Sequence, residues 1–185
     1  MKRISLLGYA ILGLLHQKPR SGYDVRKVFA NTPMGTFSDS PGTIYPALQR
    51  LEKQGLVRGQ LHRTSNLRRR RVFRPTTSGR RAFKAWQMQS ISADDVIHRV
   101  DELLLRFSFM DETVGPATAA WFLRGLMREL RRYTPALRKY LRAHARQMPF
   151  SGRLALESGV RRYEELLRWS TSSLAKYKKR KKGQA

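Results

Sequence analysis

Apolar residues recur at helical spacing from the start of the chain. Leu7, Ala10, Ile11, Leu14 and Leu15 share one face of a predicted helix that Pro19 ends. Ser21 predicts the cap of a second helix, which carries Asp24, Val25, Val28 and Phe29 and stops before Pro33. A loop over 35–39 follows. Ser40-Pro41 then predicts a third helix, with Ile44, Ala47, Leu48 and Leu51 as its apolar face and Gly55 closing it. Pro46 is accommodated if regular hydrogen bonding begins near Thr43, which leaves the proline in the first turn. Two strands are expected at 56–63 and 70–74, joined through a turn at Ser65-Asn66. Thr77 or Ser78 is the expected cap of a fourth helix holding Ala82, Phe83 and Trp86. Three helices followed by a two-stranded wing is the order of a winged helix-turn-helix.

The second half reads as helix throughout, in segments 96–109, 116 to about 147, and a last one marked by Leu156 to Leu174. Pro149 to Gly152 is the expected break. Leu123, Leu130 and Leu137 lie a heptad apart, with Met127 and Leu141 between them, and Leu156, Val160, Tyr163 and Leu167 stripe the last helix. Stripes this long, on so few helices, predict a second copy of the chain as their partner, and these nine residues are the expected dimerisation set. The expected fold is therefore mostly α. A winged helix-turn-helix N-terminal domain with a two-stranded wing spans 1–90. An all-helical C-terminal dimerisation domain spans 91–177, and a basic disordered tail spans 178–185.

Charge sharpens this picture. The 185 residues hold 38 Lys+Arg against 13 Asp+Glu, a formal net charge of +25. Residues 1–90 contribute 18 of the cations and 3 of the acids, and six more cations lie between Lys176 and Lys182. Such a balance attracts polyanions, so nucleic acid binding is expected mainly of the first half. The absence of cysteine excludes disulfides, thiolate metal sites and a Cys nucleophile. Met1-Lys2-Arg3 and the apolar run Ile4–Leu15 imitate a signal peptide, but His16-Gln17-Lys18-Pro19-Arg20 follows without a small-residue cleavage site, and the run is too short to span a membrane. A cytoplasmic protein without membrane partners is expected. His16, His62, His98 and His144 are scattered and Asp94-Asp95 are adjacent, so no metal, no cofactor and no enzymatic activity are expected.

Several runs are more specific. Gly22-Tyr23-Asp24 after Pro19, Ser40-Pro41-Gly42-Thr43-Ile44-Tyr45-Pro46-Ala47-Leu48, and Leu51-Glu52-Lys53-Gln54-Gly55-Leu56-Val57 together resemble the signature of PadR-like transcriptional regulators. Arg70 to Arg74 followed by Thr76 and Gly79 resembles the family's basic wing strand and the start of its next helix. Arg99 to Leu103 and Leu154 to Val160 resemble pieces of its helical C-terminal half. Pro75 stands where the family pattern has an apolar residue, so the second wing strand is expected to end early. The resemblance implies a winged-helix regulator, most often a repressor, that dimerises through its C-terminal helices. It also implies, for some members, release from DNA by a small aromatic or cationic compound.

A helix in the major groove needs an apolar inner face and hydrogen-bonding groups outside. Thr43, Tyr45, Gln49, Arg50 and Lys53 supply the second, Gln49 being suited to adenine and Arg50 to guanine or phosphate. Ser40 and Thr43 at the helix start suit a phosphate, Tyr23 and Lys27 suit the DNA backbone, and Arg68, Arg69, Arg70 and Arg71 suit phosphates or a narrow minor groove. Trp121 and Trp169 are candidates for a pocket at the dimer interface that takes a small aromatic ligand, with core packing as the competing and favoured role. The function these features predict is sequence-specific binding of an inverted-repeat operator by a homodimer. The competing function is nonspecific binding by a basic nucleoid- or RNA-associated protein, which the charge alone would allow.

Overall fold

The structure is a computed structural model that describes residues 4–38, 40–63 and 69–182. The chain divides into two compact units, Met1–Met88 and Gln89–Ala185.

In the first unit, α1 (Leu6–Gln17) is capped by Ser5 and buries an unbroken run from Ala10 to Leu15. The two-residue strand β1 (Arg20–Ser21) leads into α2 (Gly22–Ala30), and a short 3-10 turn (Pro33–Thr36) runs into the start of the expected loop. Helix α3 (Pro41–Lys53) is followed by β2 (Val57–Arg63), β3 (Arg69–Pro75) and α4 (Thr77–Gln87). The core is Ile11, Leu12, Leu15, Val25, Phe29, Ile44, Leu48 and Phe83, all essentially inaccessible. Because α1 is buried nearly all round, it is the post on which α3, α4 and β3 pack.

The wing is a three-stranded antiparallel sheet in the order β1-β3-β2. The third strand was not expected: β1 pairs Arg20 with Phe73 and Ser21 with Val72, too short a segment to show alternation. Strand β3 does not stop short of Pro75, which pairs with Val57 as its last residue. Since β1 reaches only Val72 and Phe73, the proline lies beyond the doubly paired part of the strand, where a missing N–H is tolerated. Two other expectations need correction. Helix α3 is regular from Pro41, so Pro46 lies inside it, and α4 is capped by Thr76, whose Oγ1 accepts the Gly79 amide at 3.1 Å. Gly79 is required there because a Cβ would fall 1.9 Å from the Leu56 carbonyl oxygen.

In the second unit, the segment 96–109 expected as one helix is divided between α5 (Ala93–His98) and α6 (Val100–Ser108), and a short α7 (Met110–Thr113) follows it. Ser92 and Asp95 form a capping box that starts α5 independently, and Arg99 breaks it with non-helical dihedrals. Helix α8 (Pro116–His144) then packs along α9 (Phe150–Lys182). Helix α9 begins at Phe150, inside the expected break, and continues through Lys182, so the segment 178–182 is helical rather than an unstructured tail.

The apolar stripes find partners within the chain, contrary to the argument that they lack them. Leu123 and Leu130 are fully buried, Met127 and Val160 nearly so. Leu123 and Met127 cluster with Leu174, while Tyr163 and Leu167 pack on the cluster around Phe122, Leu126 and Leu130. Leu137, Leu141 and Leu156 remain half-buried. Trp169 meets Phe107 edge-on, with ring centroids 5.5 Å apart, and so belongs to this core. Trp121 stands about half a helical turn from the buried Phe122–Leu126–Leu130 face of α8 and is 42% exposed. The two tryptophans therefore do not come together within one chain to frame a pocket.

Candidate nucleic-acid interface

The first turn of α2 fixes one edge of the interface. Ser21 Oγ accepts the Asp24 amide at 3.2 Å, and the Asp24 carboxylate accepts the Ser21 amide at 3.0 Å, closing a capping box. The same carboxylate holds the Arg70 guanidinium, and Arg70 Nε donates to Ser21 Oγ at 2.9 Å. Burial pushes the Asp24 carboxyl up, but the Ser21 hydrogen bonds and the Arg70 charge outweigh it and hold it below its ordinary value.

A second acid fixes the other edge. Glu52, near the end of α3, accepts the Gly59 amide at 2.8 Å and Arg71 Nη2 at 2.8 Å, while the Arg71 guanidinium lies 5.4 Å from the Phe73 ring centre. Arg70 and Arg71 are thus braces that tie the wing to α2 and α3. Arg69 lies in β3, and Arg68 lies outside the described residues.

Helix α3 presents the expected two faces. Ile44, Ala47, Leu48 and Leu51 are buried. Thr43, Tyr45, Gln49, Arg50 and Lys53 are exposed, and Gln49, Arg50 and Lys53 occupy the arc opposite the core together with Gly42 and Pro46. The last two are low in relief, so the N-terminal half of α3 can approach a groove floor closely. Ser40 Oγ accepts the Gly42 amide at 3.2 Å, and Thr43 Oγ1 donates to the Ser40 carbonyl at 3.0 Å and meets the Ser38 hydroxyl. The Thr43 hydroxyl proton is spent on the cap, whereas Ser40 Oγ serves there as an acceptor and keeps its own O–H to donate.

Tyr45 and Tyr23 flank a cleft of about 310 Å³ bounded by Ser21, Gln49, Arg70 and Arg71. Tyr23 is exposed, with the Arg26 guanidinium 5.7 Å from its ring centre, and Lys27 is exposed on the same helix. The wing adds two cations that the sequence argument did not single out. Arg58 and Arg74 are directly opposed in the β2–β3 register, and both are exposed. Like charges facing each other across two strands are unfavourable by about 0.2–1 kcal/mol, a cost that a bound phosphate would relieve. The alternation around the buried Phe73 could have revealed them, because it places residues 58 and 74 together on the other face.

No helix of the described residues is long and apolar enough to cross a membrane, and no group of three or more His, Asp or Glu among them could hold a metal ion. Residues 11–85 match the transcriptional regulator PadR-like family. The negative transcriptional regulator PadR of Bacillus subtilis is 25% identical over 177 residues, covering 92% of this chain and 96% of that protein. Among solved structures, Bacillus subtilis PadR in complex with operator DNA is 24% identical and covers 95% of this chain and 99% of its own, with a TM-score of 0.44. A PadR-like transcriptional regulator from Bacillus cereus is also 24% identical and covers 94% and 99%, with a TM-score of 0.40. The chain is thus similar to PadR-like transcriptional regulators, by the family match over residues 11–85 and by the Bacillus subtilis relative along nearly its whole length.

Proposed function

We propose that the protein is a repressor that binds an inverted-repeat operator as a homodimer, with α3 as the helix that reads bases. The observation that carries this reading is the outward face of α3. Gln49, Arg50 and Lys53 are exposed opposite a fully buried apolar face, Glu52–Arg71 holds that helix to the wing, and Asp24–Arg70 holds the wing to α2. In this reading Gln49 and Arg50 contact base edges, and Lys53, Lys27, Tyr23, Arg58 and Arg74 contact the backbone. Arg70 and Arg71 act chiefly by fixing the wing. Nonspecific nucleic-acid binding needs only charge and gives no reason for an ordered, braced helix with a Gln at its centre.

The homodimer rests on the apolar residues that α8 and α9 leave uncovered. Phe150 and Leu154 are exposed at the end of the pair where one helix hands over to the other, with Tyr140 exposed and Leu137, Leu141 and Leu156 half-buried nearby. Two copies joined there would place two reading helices on one duplex, which calls for paired half-sites about one helical turn, or a small multiple of it, apart. The Bacillus subtilis protein has been crystallised with p-coumaric acid. A small aromatic ligand for this chain would then be bound by a dimer or at another site, because Trp121 and Trp169 are not brought together within one chain. The test is selection of genomic duplex fragments followed by competition against random duplex. The best fragments should win by at least a hundredfold and contain two inverted half-sites. Equal competition would leave the nonspecific reading standing.

A further inference from the structure

In the second unit, the α8–α9 seam carries a cleft of about 530 Å³ lined by Arg124, Met127, Arg128, Arg131, Leu174 and Lys178. Arg124 and Lys178 also line the next cleft toward the end of α9, together with Arg180, and Arg131 lines the next one in the other direction. The shared residues join the three into one groove. Arg124, Arg128 and Arg131 stand at i, i+4 and i+7 of α8, on one helix face about 10 Å long. All three are exposed, as is Lys178. Arg128 pairs with Glu129, whereas Arg124, Arg131 and Lys178 form no ion pair among the described residues. Like charges on successive turns repel, so the groove is most stable with an outside anion in it.

The charge is accessible and the apolar floor is not: Met127 is 6% and Leu174 7% exposed. Protein partners are anchored on accessible apolar and aromatic groups, whereas a DNA contact is made mainly by cations. A second copy of this chain has little to offer the groove. Of the ten acidic residues between 91 and 185, eight are already ion-paired, and the other two, Glu102 and Glu112, line none of the three clefts.

We propose that this groove is a second, sequence-independent DNA-binding surface, on which Arg124, Arg128, Arg131 and Lys178 hold the phosphates of one strand of a duplex. Successive phosphates of a strand advance about 3.4 Å along the duplex axis, so the arginine stripe spans about three of them. The groove lies in the second unit and adds to base reading by α3 without requiring it.

The test compares full-length variants on a random-sequence duplex over a range of salt. Arg124→Gln with Arg131→Gln and Lys178→Gln should weaken binding at least tenfold at low salt and reduce the slope of log affinity against log salt by about three. Arg146→Gln with Arg161→Gln and Lys176→Gln removes the same charge from exposed positions outside the groove, and should change the slope by less than about one. The charge-conserving set Arg124→Lys, Arg131→Lys and Lys178→Arg should bind like the wild type, which separates lost charge from an altered fold. Amide NMR of the wild type should show the duplex shifting residues 124–131 and 174–180. The preference for a selected operator fragment over random duplex should stay the same in the groove variant. The inference is overturned if the groove and control variants lose affinity equally, if the charge-conserving set loses as much as the neutral one, or if the operator preference falls with the groove charges. It is also overturned, in favour of an acidic protein partner, if poly-glutamate shifts residues 124–131 and 174–180 and the duplex does not. The random-duplex measurements decide the matter even if no operator is found, so failure here and failure of the operator reading are told apart.

Discussion

The ring of Tyr45 lies against Gly22, so closely that a Cβ on the glycine would fall 2.4 Å from Tyr45 Cε1. This contact joins the first turn of α2 to the middle of α3, and it explains how a tyrosine 43% exposed is nonetheless held in place. Gly22→Ala should push the ring outward, cost about 1–3 kcal/mol of stability and weaken DNA binding. Adding Tyr45→Ala should recover part of the stability, because the clash needs both side chains. Urea melts of the two single variants and the double check this. Additive losses would mean that the two residues do not press on each other.

Asp24 links the capping box to the wing. Its folded-state pKa is lowered, so the stability it contributes is present above the ordinary value of 3.8 and is lost as pH falls toward the folded value. Asp24→Asn should cost about 1 kcal/mol at neutral pH, the size of a lost cap plus an exposed ion pair. The difference from the wild type should shrink as pH drops below 3.8. Melting temperatures from pH 2 to 7 measure both.

His16 supplies a test of the same sign in a higher pH range. Its Nδ1 lies 2.8 Å from the Leu12 carbonyl, which assigns the proton to that nitrogen, and its ring stacks on Phe83 with centroids 4.8 Å apart. Burial lowers its pKa below the usual 6.5, an effect that outweighs the carbonyl hydrogen bond and is reinforced by Arg80. The unfolded chain therefore takes up the proton first, and stability falls as pH drops below 6.5. His16→Gln should flatten this part of the stability–pH curve. A curve unchanged by the substitution would show that His16 is not the group responsible.

Reading and gripping should separate. Gln49→Ala should reduce the preference for operator over random duplex by about 1–3 kcal/mol if the side chain makes a bidentate base contact. Arg58→Ala with Arg74→Ala should weaken all duplexes alike and reduce the steepness of the salt dependence. Arg70→Ala should act instead through stability, because its partners are Asp24 and Ser21. Binding isotherms at several salt concentrations, beside melting curves, distinguish the three.

Much of the DNA-reading half was legible because its information is local. Ser40-Pro41, the Ile44–Leu51 stripe and Gly55 mark α3 within sixteen residues. What escaped was set by distant pairing. Arg70 and Arg71 read as free cations in a basic run, yet their partners Asp24 and Glu52 lie 46 and 19 residues away. Strand β1 is visible only because β3 has an open edge at Val72 and Phe73. In the second half the stripes were read correctly as helical, but periodicity shows which face is apolar and not what covers it. Leu123 and Leu130 are covered by their own chain. Trp121 and Trp169 were grouped by residue type, and the 3.6-residue period of α8 put Trp121 opposite the core.

The central claim is that two reading helices act together on one duplex. It is tested most directly by titrating a duplex carrying two inverted half-sites with the full chain and with a chain ending at Gln89, while sedimentation reports the oligomeric state. The account predicts a dimeric full chain and a folded, monomeric short chain that binds 10²–10⁴-fold more weakly in apparent affinity and no longer prefers paired over single half-sites, about the advantage that linking two modest binding events provides. A full chain that remains monomeric at micromolar concentration, or a short chain that binds the paired site as tightly as the full one, would contradict it.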